Sequence, residues 1–266
     1  MRQNSNQEVE LARTNEGRPW LLRAPREDAL ALLFCLPYTG GGASMYYQWP
    51  RRLEGIEVCP VQFPGRENRL REPAPLTYEE LANDIAEALL PFLDRPFGFF
   101  GHCGSAVIGL ETAAAIAERG HDVPGRLFAS AMVSPDRYTF PRIRDADGAA
   151  LADIVNDMGR ARGVEVNPEL ADMALDVMRA DVAAYRRYRP GPTYRYQSPV
   201  TVIGWQGDGN IPSDETGGWE PYGAIRRVVL PGDHWSFLAA PAALQSEIAR
   251  DMVGARWEPA PVRSQG

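Results

Sequence analysis

Short apolar runs alternate with amphipathic stretches along most of this chain. The runs Leu30–Leu36, Glu57–Phe63, Pro96–Phe100, Leu127–Val133, Pro199–Ile203 and Arg226–Leu230 have the length and flanking turn residues of buried strands. Between them, Tyr78–Leu93, Ala106–Arg119 and Pro241–Met252 carry helical periodicity. Strands that alternate with helices at this spacing predict an α/β fold, a mainly parallel, doubly wound sheet with helices on both faces. One stretch breaks the rhythm. From about 136 to 190 there is no strand signal, only helical patterns such as Ala149–Met158 and Pro168–Tyr188. A helical insertion at that point sits over the C-terminal ends of the strands, where ligands bind in such sheets, and reads as a lid.

The organisation expected is one α/β domain over residues 18–257, with polar tails at 1–17 and 258–266. The apolar fraction of 44% is ordinary for a protein with a real core. No apolar run approaches the roughly 20 residues of a membrane span, and the polar N-terminus has no signal-peptide core, so a cytoplasmic location is expected. All 28 basic side chains are arginine, which reflects coding composition before function. A net charge of −7 argues against nucleic acid or an anionic membrane as partner. The cysteines Cys35, Cys59 and Cys103 lie far apart with no C-x-x-C spacing, so neither a disulfide framework nor a metal site is expected.

Two of the cysteines read as core packing: Cys35 and Cys59 fall inside apolar runs. Cys103 falls at a turn, in Phe99-Phe100-Gly101-His102-Cys103-Gly104-Ser105-Ala106, between an apolar run and a helix of small residues. Strand, sharp turn and helix are the context of a nucleophile elbow, whose small residues let strand and helix approach closely. A thiol there benefits from a base. Of the histidines, His121 lies in a loop at the opposite sheet edge, and His102 adjoins the nucleophile with its side chain expected to point away. His234, in a loop after the last strand, is left as the base. Asp208, in the loop after Pro199–Ile203, is the favoured acid, with Asp214, Glu215 and Asp233 as alternatives. An oxyanion hole is expected from the Gly104 N–H and from Thr39, in the glycine-rich loop Pro37-Tyr38-Thr39-Gly40-Gly41-Gly42-Ala43. Tyr38, Met45 and Trp235 are candidates for the substrate pocket, together with Tyr46 and the lid.

These motifs carry a family resemblance. Pro37–Ala43, Gln62-Phe63-Pro64-Gly65-Arg66, the elbow, Gly232-Asp233-His234-Trp235 and the helical Met178-Arg179-Ala180-Asp181 followed by Tyr185 resemble the type II thioesterases of polyketide and non-ribosomal peptide biosynthesis. The likeness runs from about Arg18 to Trp257. It implies an α/β-hydrolase fold with a helical lid, Cys103, Asp208 and His234 at the triad positions, and no cofactor. It also implies a carrier protein as partner, which presents a small acyl or aminoacyl group on its phosphopantetheine arm. The family's usual Gly-His-Ser-Met-Gly is Gly-His-Cys-Gly-Ser here, and the acid loop carries one extra residue around Gly207-Asp208-Gly209. Cysteine-bearing relatives include aminoacyl transferases, so acyl transfer through an acyl-S-Cys103 intermediate is expected ahead of hydrolytic editing. A catalytically idle carrier-binding scaffold is the reading from another class. Arg186, Arg187 and Arg189, near the end of the lid, read as a solvated face or as a contact for an acidic carrier or its phosphate.

Overall fold

A computed structural model describes residues 20–137, 145–163, 168–190 and 198–253. The tails expected at 1–17 and 258–266, and parts of the 136–190 insertion, lie outside the described residues. Within them, β1 (Ala31–Leu36), β2 (Arg52–Leu53), β3 (Ile56–Pro60), β4 (Phe97–His102), β5 (Arg126–Ser130), β6 (Val200–Trp205) and β7 (Ile225–Leu230) form one sheet. Its order is β2-β3-β1-β4-β5-β6-β7. Every neighbouring pair is parallel except β2 with β3. The two-residue β2 is too short to show a period in sequence and was not anticipated. Elsewhere the strands shift by one to three residues from the expected runs.

The helices are α1 (Tyr78–Leu89), α2 (Ser105–Glu118), α3 (Gly148–Ala161), α4 (Pro168–Arg187) and α5 (Ala242–Val253). Two of them start where a side chain can satisfy an orphan N–H. Thr77 Oγ1 accepts from the Glu80 N–H, and Asp147 Oδ1 accepts from the Ala150 N–H. Successive residues of β4 face opposite sides of the sheet. A Cβ on Gly98 would strike Met252 of α5, whereas Phe99 packs beside Gly109 of α2. Helices therefore cover both faces, and β1, β3, β4 and β6 are buried along their whole length. The edge strand β7 is only partly buried, with Arg226 bonded to Asp251 of α5 and Arg227 to Glu220.

The insertion is the helical pair α3 and α4, packed on each other. Methionines from both reach the glycine-rich loop. A Cβ on Gly40 would lie 2.5 Å from Met178 Cε and 3.6 Å from Met158 Cε, and Gly40 itself has φ of +77°. Only glycine suits that backbone and that approach. Leu36 of β1 is opposite Gly101 of β4, so the loops that follow these two central strands leave the sheet side by side. Among the described residues, no helix is long and apolar enough to cross a membrane.

Candidate active site

Cys103 occupies the turn between β4 and α2 with φ of +56°, a left-handed conformation that costs a non-glycine residue about 1–2 kcal/mol. The turn is forced by close approach: a Cβ on Gly101 would lie 2.4 Å from the Ala106 backbone nitrogen. Ser105, where the family pattern has glycine, is a strut. Its Oγ accepts from the His102 N–H at 3.0 Å and lies 3.1 Å from the Leu36 carbonyl, tying the ends of β4 and β1 together. The Cys103 N–H donates to the Ser130 carbonyl at the end of β5. The strain is thus held by bonds to strands on both sides.

His234 lies in the loop after β7 and Asp208 in the loop after β6, and the structure brings them together. His234 Nδ1 is 2.8 Å from Asp208 Oδ2. The other carboxylate oxygen of Asp208 accepts from the N–H groups of Asn210 at 2.8 Å and Ile211 at 3.0 Å. Burial works against the Asp208 charge, but the histidine and these N–H groups outweigh it and hold the carboxyl below its usual range. Burial likewise opposes a charged His234. Hydrogen bonds to Asp208 and to Cys103, with the charges on both, overcome it and raise the ring to about 9. The other carboxylates are used elsewhere or face solvent. Asp233 accepts from the Trp235 N–H and Ser236 Oγ, while Asp214 and Glu215 are exposed.

The remaining histidines separate clearly. His121 is exposed in the loop between α2 and β5, at the far edge of the sheet. His102 is fully buried, stacked on Phe237 at 3.9 Å and 4.6 Å from the His234 ring. Its Nδ1 meets Ser130 Oγ, which also accepts from Trp205 Nε1. Burial, with His234 adding to it, pushes His102 well below its ordinary value and keeps it neutral. Sequence reasoning gave no part to Ser130, Trp205 or Phe237, because nothing local in their segments signals a shared floor beneath His234.

Among the described residues, neither the Gly104 nor the Thr39 N–H meets an acceptor, and both lie in the paired loops at the ends of β4 and β1. The Tyr38 ring packs 5.4 Å from Trp235, 6.4 Å from His102 and 6.0 Å from Phe237, and among the described residues its buried hydroxyl has no partner. Trp235 in turn sits 5.1 Å from the His234 ring. Met45 is buried against Gly41, one turn further along. A pocket between the lid and α1 is lined by Thr39, Phe63, Tyr78, Ile108 and Asp181 among others; Tyr38, Met45 and Trp235 are not in its wall. The lid arginines are partly committed: Arg186 donates to the Ala146 carbonyl, Arg187 to Leu76 and Arg189 to Tyr188. Among the described residues, no His, Cys, Asp and Glu side chains converge as a metal site.

Comparison with known proteins bears on the family and the fold. The family model of the thioesterase domain matches residues 31–252. A probable cadicidin biosynthesis thioesterase of Streptomyces griseus is 34% identical over 247 residues, covering 91% of this chain and 68% of the relative. The gramicidin S biosynthesis protein GrsT of Aneurinibacillus migulanus is 29% identical over 227 residues, covering 81% and 87%. Among solved structures, RedJ, a thioesterase from the prodiginine pathway of Streptomyces coelicolor, superposes with a TM-score of 0.74 at 31% identity, covering 86% of this chain and 90% of RedJ. With its sheet order, its strained elbow and a match over most of its length, the chain belongs to the thioesterase family of α/β-hydrolases.

Proposed function

We propose that this protein is a type II thioesterase-like enzyme of polyketide or non-ribosomal peptide assembly. It takes an acyl or aminoacyl group from the phosphopantetheine thioester of a carrier protein through an acyl-S-Cys103 intermediate. The observation that carries this reading is Cys103 at a left-handed elbow with the His234–Asp208 pair beside it. The relatives act in gramicidin S, cadicidin and prodiginine biosynthesis by their names, which supports a carrier-protein partner.

The chemistry follows from the positions. The Cys103 sulfur attacks the thioester carbonyl, and the oxyanion that forms is met by the N–H groups of Gly104 and Thr39. His234 takes the Cys103 thiol proton as the sulfur attacks, and the imidazolium so formed, favoured by a ring value raised to about 9, returns that proton to the departing pantetheine sulfur. Asp208 holds the ring with Nδ1–H directed at itself, which leaves Nε2 for the sulfur. Trp235 packs against His234 and Tyr38 against Trp235, with Met45 behind the glycine loop, beside the pocket that Thr39, Phe63 and Tyr78 line.

Sulfur decides the second half. A serine would convert the thioester into a more stable oxygen ester. Cys103 instead exchanges one thioester for another, near thermoneutrality, so the acyl group stays activated for a thiol or amine acceptor. Transfer is therefore placed ahead of hydrolytic editing. Mixing the protein with an acylated carrier and an empty second carrier tests this. Intact-mass spectrometry should find the acyl group on Cys103 and then on the second carrier. Free acid with the second carrier left empty would make hydrolysis the outcome; full turnover by Cys103→Ala would discard the covalent mechanism.

A further inference from the structure

The glycine-rich loop is held by one bond of its own and by partners outside it. The Gly41 N–H donates to the Tyr38 carbonyl at 2.8 Å. That carbonyl shares a planar peptide with the Thr39 N–H, so the bond aims the Thr39 N–H the opposite way. The next peptide is fixed by the lid: the Gly40 N–H donates to Asp181 Oδ2 of α4 at 2.7 Å. Asp181 is in turn gripped by Arg66, Nη2 to Oδ1 at 2.6 Å and Nη1 to Oδ2 at 2.9 Å. Arg66 Nη1 also donates to the Gly41 carbonyl at 2.9 Å. The Arg66 side chain is 3% exposed and that of Asp181 17%, so the pair is shielded and its geometry constrained.

We propose that Asp181 is a positioning residue for acyl transfer: together with Arg66, this lid carboxylate sets the peptide planes of Tyr38–Gly41 so that the Thr39 N–H can receive the oxyanion. This rests on the reading of Cys103 as an acylated nucleophile. It adds that the site is electrostatically complete only with α4 seated on the loop. Asp181 lines the pocket beside Thr39. It is nevertheless a poor receptor for a substrate ammonium, because a bidentate guanidinium and an N–H already occupy its oxygens.

Two reactions of the same sulfur separate positioning from simple damage. Alkylation of Cys103 by iodoacetamide is displacement at a saturated carbon and creates no oxyanion, whereas acylation by a thioester does. Cys35 and Cys59 are buried, with thiols pushed far up by that burial, so Cys103 takes the label. Single-turnover acylation, read by intact mass, should fall about 10- to 100-fold in Asp181→Ala. Asp181→Asn, which keeps an acceptor for Gly40, should fall less. Alkylation of both should be no slower than in the wild type. Asp176→Asn, on the same helix but exposed and paired with Arg179, should match the wild type in both reactions. Should Asp181→Ala fail to fold, Arg66→Lys keeps the charge, loses the fork, and should show the same split. Unchanged acylation in the variants, or acylation and alkylation falling together, overturns the proposal. A wild type that alkylates but never acylates overturns the parent reading, and this one with it.

Discussion

At Cys103, three properties meet that seldom coincide in one residue: near-complete burial, a left-handed backbone and the influence of its sulfur on a histidine held by a carboxylate. The first would make a thiol inert, as it does for Cys35 and Cys59; the other two give it a task. Replacing sulfur by oxygen should therefore change the outcome more than the first step. In Cys103→Ser, acyl release to water should grow at the expense of delivery to a second carrier, measured by weighing both carriers. Asp208 sets the protonation of its partner. Asp208→Asn removes the charge that raises His234 and leaves at most a weaker, neutral hydrogen bond, so the ring should titrate below about 9, by NMR of the imidazole. Turnover should drop about 10²–10⁴-fold.

At the scale of elements, the elbow is a packing problem solved by size. Gly101→Ala would place a Cβ 2.4 Å from the backbone of α2, where no side chain can swing away. We expect a loss of at least about 3 kcal/mol in urea unfolding, or no soluble protein. Met178 of α4 is fully buried over the glycine loop, and Met178→Ala should cost about 2–5 kcal/mol. Limited proteolysis within the 136–190 insertion should speed up if the loss is felt locally. The elements themselves were largely legible in sequence. Apolar runs marked the six longer strands, and periodicity marked both lid helices to within a few residues. What escaped was either too short, as in Arg52–Leu53, or a relation between distant segments. Arg66 and Asp181 were visible inside motifs, yet their bond spans 115 positions and no local pattern announces it.

Across the whole molecule, the positions of Cys103, Asp208 and His234 were readable for a topological reason. Each follows a parallel strand, and parallel strands deliver their following loops to one edge. The floor of Ser130, Trp205, His102 and Phe237 was not readable, since it depends on side chains from several segments meeting in the interior. Folding stability should record the buried histidine. His234 titrates near 9 in the folded protein against 6.5 ordinarily, so its contribution is complete below about pH 6.5 and is lost as pH rises through 9. Urea unfolding across that window should show a steeper decline in the wild type than in His234→Gln.

The lid's hold on Gly40 also bears on the order of events. A gate and a catalyst are commonly separate parts, so that a door left ajar still permits the reaction. Here the carboxylate that fastens the door also tunes the loop beneath it. On the role proposed for Asp181, a cargo that kept α4 raised would meet a sulfur without a finished oxyanion site, and a cargo that let α4 settle would complete it by doing so. Such an interlock would make dwell time under the lid, more than affinity at the entrance, the quantity on which an acyl group is accepted or turned away.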